Sequence, residues 1–163
     1  MANTCIFSMV VKGKKENIET FLDMMQQKGK VWMGRGAIVD FTDLGEVESG
    51  KHRYQIDGET KWSIQSSLIS NAVSMRTEPE KWCFNDGTDK TELSFVTLFE
   101  ACERLDLDME VYSEECGIGF QEHFLFVDGE LLADECVDYT EVYNEETDEY
   151  EPEGGFDDWD FEI

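Results

Sequence analysis

The chain has 163 residues and carries 38 Asp and Glu against 13 Lys and Arg, a formal net charge of −25 at neutral pH. That length suits one domain able to bury roughly 70% of the surface its unfolded chain exposes. No apolar run reaches the ~18 residues needed to span a bilayer, Met1-Ala2-Asn3-Thr4-Cys5 lacks the basic region and cleavage site of a signal peptide, and like charge disfavours anionic membranes and bare nucleic acid.

Residues 4–11 read as a strand, with Ile6, Met9 and Val11 apolar and β-branched residues frequent. Gly13 breaks the run. Ile18, Phe21, Leu22 and Met25 then recur at helical spacing, which predicts an amphipathic helix over 14–27, with Lys28 in its last turn and Gly29 as its stop. Gly34-Arg35-Gly36 reads as a turn. Strands are expected over 37–44 and 52–56, joined by a polar loop over 45–51. Asp57-Gly58 is a hairpin signal, so 60–64 is expected to return as another strand. Residues 68–75 fit a strand by alternation and a helix by Leu68, Ile69, Ala72 and Val73. Residues 76–89, with Pro79 and Asn85-Asp86-Gly87, read mostly as loop.

A second helix is expected over 91–105, striped by Phe95, Leu98, Phe99, Cys102 and Leu105, with Asp89 as cap and Glu92 three residues on. Strands follow over 109–113, 119–127 and 131–143, with Asp128-Gly129 as a tight hairpin between the last two. Residues 144–163 fit an extra hairpin, an ordered arm or a tail that orders on binding. This order predicts an α+β fold with two helices on one face of a mainly antiparallel sheet. The ferredoxin-like, split βαβ arrangement is the simplest topology that fits.

Three stretches also resemble a known family: Met1-Ala2-Asn3-Thr4-Cys5 leading into a strand, a Gly and a Lys/Glu-rich helix; Thr60-Lys61-Trp62 after a Gly-containing turn; and Val111-Tyr112-Ser113-Glu114-Glu115-Cys116-Gly117-Ile118-Gly119-Phe120 after a late helix. Together they resemble the YubB ferredoxin-like domain family of phages and conjugative plasmids. The resemblance covers residues 1–138 and implies a ferredoxin-like domain of mobile-element origin, without catalytic residues. Thr4 stands where the family pattern has Trp, its aromatic-Pro segment before the second helix is missing, and the acidic extension over 139–163 lies outside it.

The odd number and wide spacing of Cys5, Cys83, Cys102, Cys116 and Cys136, with no CxxC, suit reduced thiols in a cytosolic protein; joined to the mobile-element origin that the resemblance implies, the expected location is the cytoplasm of a bacterial host cell. His52 and His123 have carboxylates nearby but no Ser or Cys in a nucleophile motif, so no enzyme is expected. Cys116, His123 and Cys136 lack the close pairs of a zinc site. Asp106-Leu107-Asp108-Met109-Glu110 and Asp157-Asp158-Trp159-Asp160 lack the calcium-loop pattern. Gly34-Arg35-Gly36 and Gly117-Ile118-Gly119 are too short for phosphate loops. Trp32, Trp62, Trp82 and Phe84 are expected to pack rather than to form a base-stacking platform. No metal or cofactor is expected.

The charge is unevenly placed. Beyond Arg104 there is no Lys or Arg, yet residues 105–163 hold 22 of the 38 acids, leaving 16 acids and 13 bases in the first 104 residues. Disordered acidic segments are poor in aromatics; this one holds ten, so it reads as folded. Alternate carboxylates on a strand stand ~6.6 Å apart, with a neighbouring strand ~4.8 Å away, which approaches the charge density of a nucleic-acid backbone. Counted straight along 136–151, one parity carries Asp138, Asn144, Glu146 and Asp148, and the other carries Tyr139, Glu141, Tyr143, Glu145, Glu149 and Glu151. The expected function is a phage or mobile-element inhibitor that mimics nucleic acid in the basic channel of a host protein, such as a CRISPR effector or restriction nuclease. Glu141, Tyr143, Glu145, Glu146, Asp148, Glu149, Asp157, Asp158, Trp159 and Asp160 are the expected contacts. The alternative is a protein-binding adaptor or accessory domain whose acids serve solubility.

Overall fold

The computed structural model describes residues 3–82 and 92–163. β1 (Thr4–Gly13) buries Cys5, Phe7, Met9 and Val11 on one side, as its alternation requires, but Val10 on the other side is buried too. Both faces of the sheet are therefore covered at its centre. Helix α1 (Lys15–Met25) lays Ile18, Phe21, Leu22 and Met25 on the first face, as its spacing predicts.

Next come β2 (Val31–Met33), which the sequence reading missed, then β3 (Ile38–Glu48) and β4 (Lys51–Lys61). The expected loop over 45–51 shrinks to a turn at Ser49-Gly50, with β-bulges between Asp43 and Glu48 absorbing the irregular residues. Asp57-Gly58 does not turn. Both residues lie inside β4, paired with Ser8 and Phe7 on one side and with Asp40 and Val39 on the other. Gly58 is there for space: a Cβ would stand 2.8 Å from the Phe7 ring and 2.3 Å from the Ile38 carbonyl oxygen. The return strand expected over 60–64 is absent. Thr60-Lys61 end β4, and a π-helical stretch (Gln65–Ser70) runs into α2 (Asn71–Thr77), settling the ambiguity at 68–75 as helix.

The second helix also differs from expectation. Ser94–Val96 form β5, parallel to β2, and Phe95 meets Trp32 edge-on at 6.3 Å. Helix α3 is only Leu98–Arg104. Its cap is the Thr97 hydroxyl, which accepts the Glu100 N–H at 3.1 Å. The signal for this later start was present in the sequence, because Thr97 and Glu100 have the spacing of a capping box. The expected cap Asp89 and the turn at Asn85-Asp86-Gly87 lie outside the described residues, as do Cys83 and Phe84.

β6 (Asp108–Glu115), β7 (Phe120–Val127), β8 (Glu130–Asn144) and β9 (Glu149–Gly154) complete the order. Asp128-Gly129 makes the expected hairpin, both residues at positive φ. The seven-stranded sheet runs β3-β4-β1-β6-β7-β8-β9 and is antiparallel throughout. The fold is α+β, with three α-helices among the described residues rather than two. Residues of α1, α3 and the π-helical stretch share one core with Phe7, Met9, Val11, Ile56, Met109, Val111, Phe124 and Phe126 on the first face of the sheet. No described helix is long and apolar enough to cross a membrane.

Candidate functional site

The acidic third of the chain is ordered in two pieces. The first is the β8–β9 hairpin. Tyr143 and Tyr150 pair across it with ring centroids 5.4 Å apart, and the Tyr143 hydroxyl donates to Asp148 in the turn. Asn144 accepts the Glu146 N–H at 2.9 Å and donates to Glu151 at 3.0 Å. The turn resets the faces, so parity counted straight through it fails. Glu149, Glu151 and Glu153 share a face with Asn144, Val142 and Thr140, while Glu141 lies opposite Pro152 on the face of Tyr139 and Tyr143. Each strand carboxylate thus faces a neutral residue across the ladder, avoiding the destabilising like-charge pairs of a two-stranded ribbon.

At the hairpin's base, the Tyr139 N–H donates to the Gly119 carbonyl at 2.9 Å. Gly119 has φ +91, and a Cβ there would stand 2.6 Å from the Tyr139 carbonyl oxygen. Burial and the nearby Glu114 carboxylate push the Tyr139 phenol well up.

The second piece is a strap, residues 155–163, lying across the second face of the sheet. The Phe156 N–H donates to Gln121 at 2.7 Å on β7, and the Tyr112 hydroxyl donates to the Asp160 carbonyl at 3.3 Å. Tyr112 is ringed by Phe156 and Phe161 edge-on, at 5.6 and 5.4 Å, and by Trp159 stacked at 5.9 Å. The Glu162 N–H donates to Glu110 at 2.6 Å, and Arg53 Nε donates to the Ile163 main-chain oxygen at 3.1 Å. The strap therefore runs from β7 past β6 to β4, which accounts for the burial of Val10. Burial first, then the carboxylates of Glu110, Glu162, Asp160 and Glu135, push the Tyr112 phenol up to about 12.

The ten expected contact residues fall into these two groups. Glu141, Tyr143, Glu145, Glu146, Asp148 and Glu149 lie on the hairpin. Asp157, Asp158 and Asp160 are exposed on the strap, while Trp159 between them turns inward onto Tyr112.

Comparison of the chain with protein-family models, with curated proteins and with solved structures finds no match.

Three acids do internal work that sequence reading missed. Glu122 is 2% exposed and accepts the N–H groups of Ile64 and Gln65, at 2.9 and 3.0 Å, and the Ser113 hydroxyl at 2.6 Å. It sits at the N-terminal end of the Ile64–Thr77 helical run, where a carboxylate satisfies orphan donors and suits the helix dipole. Glu115 accepts the N–H groups of Gly117 and Ile118 and closes the β6–β7 turn. Glu110 is fastened to His123 and to the strap. The available signal was the polar triplet Gln121-Glu122-His123 inside the otherwise apolar run of β7.

The remaining candidates do not converge. Cys136 pairs with Glu122 and shares its face, while His123 points to the other face, so Cys116, His123 and Cys136 do not meet. Among the described residues no His, Cys, Asp or Glu group could hold a metal ion. Both nitrogens of His123 are engaged by carboxylates, and His52 is paired with Asp43 at 3.1 Å. Trp32 packs with Met75 and Phe95, Trp82 donates to Ser74 at 3.1 Å, and Trp62 is exposed at the end of β4. Burial pushes the Cys5 thiol up to about 11 and the Cys102 thiol higher still. Cys116 and Cys136 are exposed.

Proposed function

We propose that this chain is a non-enzymatic inhibitor, encoded by a phage or other mobile element, whose acidic hairpin and strap occupy the basic nucleic-acid channel of a host defence nuclease. The observation that carries this reading is the ordered two-stranded ribbon, with Glu149, Glu151 and Glu153 in a row on one face. A row of this kind stands at ~6.6 Å intervals and needs no folding on arrival, so little entropy is lost on binding. CRISPR effectors and restriction nucleases hold nucleic acid in Lys/Arg-lined channels, and a polyanion is steered to such channels.

The mobile-element origin rests on the resemblance to the YubB family. We read β3-β4-β1-β6 with α1 and α3 as a ferredoxin-like unit, supported by its strand order and by the two helical crossovers that flank β1. On this reading the unit ends with β6, short of the expected boundary at residue 138, and β7, β8, β9 and the strap are additions at one edge.

The experiment is a cleavage assay with purified CRISPR effectors and restriction nucleases, titrated with this protein at several DNA and salt concentrations. Inhibition competitive with DNA, and weakening steeply with salt, supports the reading; inhibition indifferent to both rules it out. A second reading, the adaptor, is favoured by β3, a long edge strand with Ile38, Phe41, Leu44 and Val47 exposed. Such an edge can accept a partner's strand. Activity that survives neutralisation of the hairpin acids favours the adaptor.

A further inference from the structure

The two edges of the seven-stranded sheet are built differently. β9 is short, and Pro152 and its glutamates blunt it against further pairing. β3 is 11 residues long, holds no proline or lysine, and no described strand pairs with its outer side. Its bulges lie beyond Asp43, so 38–43 is a regular run whose outward N–H and C=O groups have no ladder partner. Ile38 is 72% exposed, and Phe41 is 49% exposed although it stacks on Tyr54 at 6.1 Å.

Charge is unevenly placed along this strand. At its far end the acids are answered: Asp43 is held by Lys15 and His52, and Glu48 by Lys12 and Lys51. At its near end they are not. Asp40 stands directly opposite Asp57 on β4, and Glu59 lies two residues further along the same face. All three are exposed, and among the described residues none has a Lys, Arg or His ion pair. Asp57 accepts from neutral donors, the Ser8 hydroxyl at 2.6 Å and the Gln55 amide at 3.3 Å. Like charges directly opposite each other destabilise a ladder.

Side chains alternate along the run. Val39 and Phe41 lie on the first face of the sheet, and Ile38, Asp40 and Thr42 on the second. A strand added ~4.8 Å outside β3 therefore meets Asp40 with one side chain, and Val39 and Phe41 with the two that flank it. A cation opposite Asp40 relieves its repulsion with Asp57, and apolar neighbours cover Val39 and Phe41. A second copy of this chain does not fit, since β3 would bring four acids and no base to its own edge.

We propose that the outer edge of β3 receives, by strand addition, an extended segment of a partner protein in which a Lys or Arg is flanked on both sides by apolar residues. This rests on the adaptor reading and names its partner's chemistry; the acidic hairpin, at the opposite edge of the sheet, takes no part.

The probes are two blocked peptides of ~8 residues, the length of an ordinary strand, one alternating valine with lysine and the other valine with glutamate. Amide hydrogen exchange of the full chain is followed with each, at ~150 mM salt to screen loose attraction to the hairpin. The lysine peptide is expected to slow exchange of alternate amides over 38–43 by roughly tenfold or more at saturation, with the amides of β9 unchanged. The glutamate peptide is expected to protect neither. Asp40→Lys, an exposed substitution, is expected to weaken binding of the lysine peptide at β3 by roughly fivefold or more. Protection by both peptides alike keeps strand addition but overturns the assigned chemistry. Protection by neither overturns the adaptor reading at β3 along with it. Protection no greater at β3 than at β9 marks charge attraction alone and overturns the proposal, as does unweakened binding by Asp40→Lys.

Discussion

The carboxylate of Glu122, in the middle of β7, accepts the backbone N–H of Ile64 at 2.9 Å. One acid from the most acidic third of the chain thus holds the start of a helical run in the nearly neutral part. Replacing Glu122 by Ala leaves the N–H groups of Ile64 and Gln65 and the Ser113 hydroxyl without their acceptor in a buried site. The expected loss of stability is about 3 kcal/mol, read from the denaturant midpoint. Neutralising the exposed Asp158 by Asn is expected to change stability by less than about 0.5 kcal/mol.

Trp159 anchors the strap by its stack on Tyr112. Trp159→Ala is expected to cost about 1–3 kcal/mol, since the ring is half-buried and part of an aromatic cluster. Limited proteolysis supplies the second readout: cleavage within 156–163 should become faster while the hairpin stays intact.

Gly119 joins the β6–β7 turn to the base of the acidic hairpin. Its φ of +91 and the 2.6 Å approach of the Tyr139 oxygen leave no place for a methyl group. Gly119→Ala is expected to destabilise by about 2 kcal/mol. Calorimetry measures the loss, and Tyr143 and Tyr150 ring signals should report a displaced hairpin.

Alkaline pH should destabilise the fold. The Cys5 thiol has an ordinary value of 9.0 and is pushed up to about 11 by burial, while Tyr112 rises from 10.0 to about 12. Below 9.0 both states keep these protons and the contribution is constant. Between about 9 and 12 the unfolded chain releases protons that the folded chain retains, so stability falls as pH rises. Urea midpoints across that range should decline, and Cys5→Ala should decline less steeply.

Much of the architecture was legible wherever one periodicity dominates: β1, α1, the Asp128-Gly129 hairpin and the late strands. It failed where a residue type serves two purposes. Gly58 reads as a turn signal, yet it is a space beside Phe7. Phe95 fits a helical stripe, yet it packs against Trp32 from a short parallel strand. The aromatics of the acidic third pointed to a folded segment, but they left 144–163 open between a hairpin, an arm and a tail. The division of its acids into surface rows and buried fasteners was not legible, because Glu110, Glu115 and Glu122 differ from their neighbours only in what the sheet brings against them.

The central claim is that the acids of the hairpin stand in for phosphates. Its most direct measurement is the inhibition constant against a DNA-cleaving effector, for wild type and for the variant carrying Glu145→Gln, Glu149→Gln and Glu151→Gln, between about 50 and 200 mM salt. The account predicts inhibition that weakens at least about tenfold across that range, and a variant that is folded, weaker and less salt-sensitive. Inhibition by the neutralised variant equal to wild type at every salt concentration would contradict it.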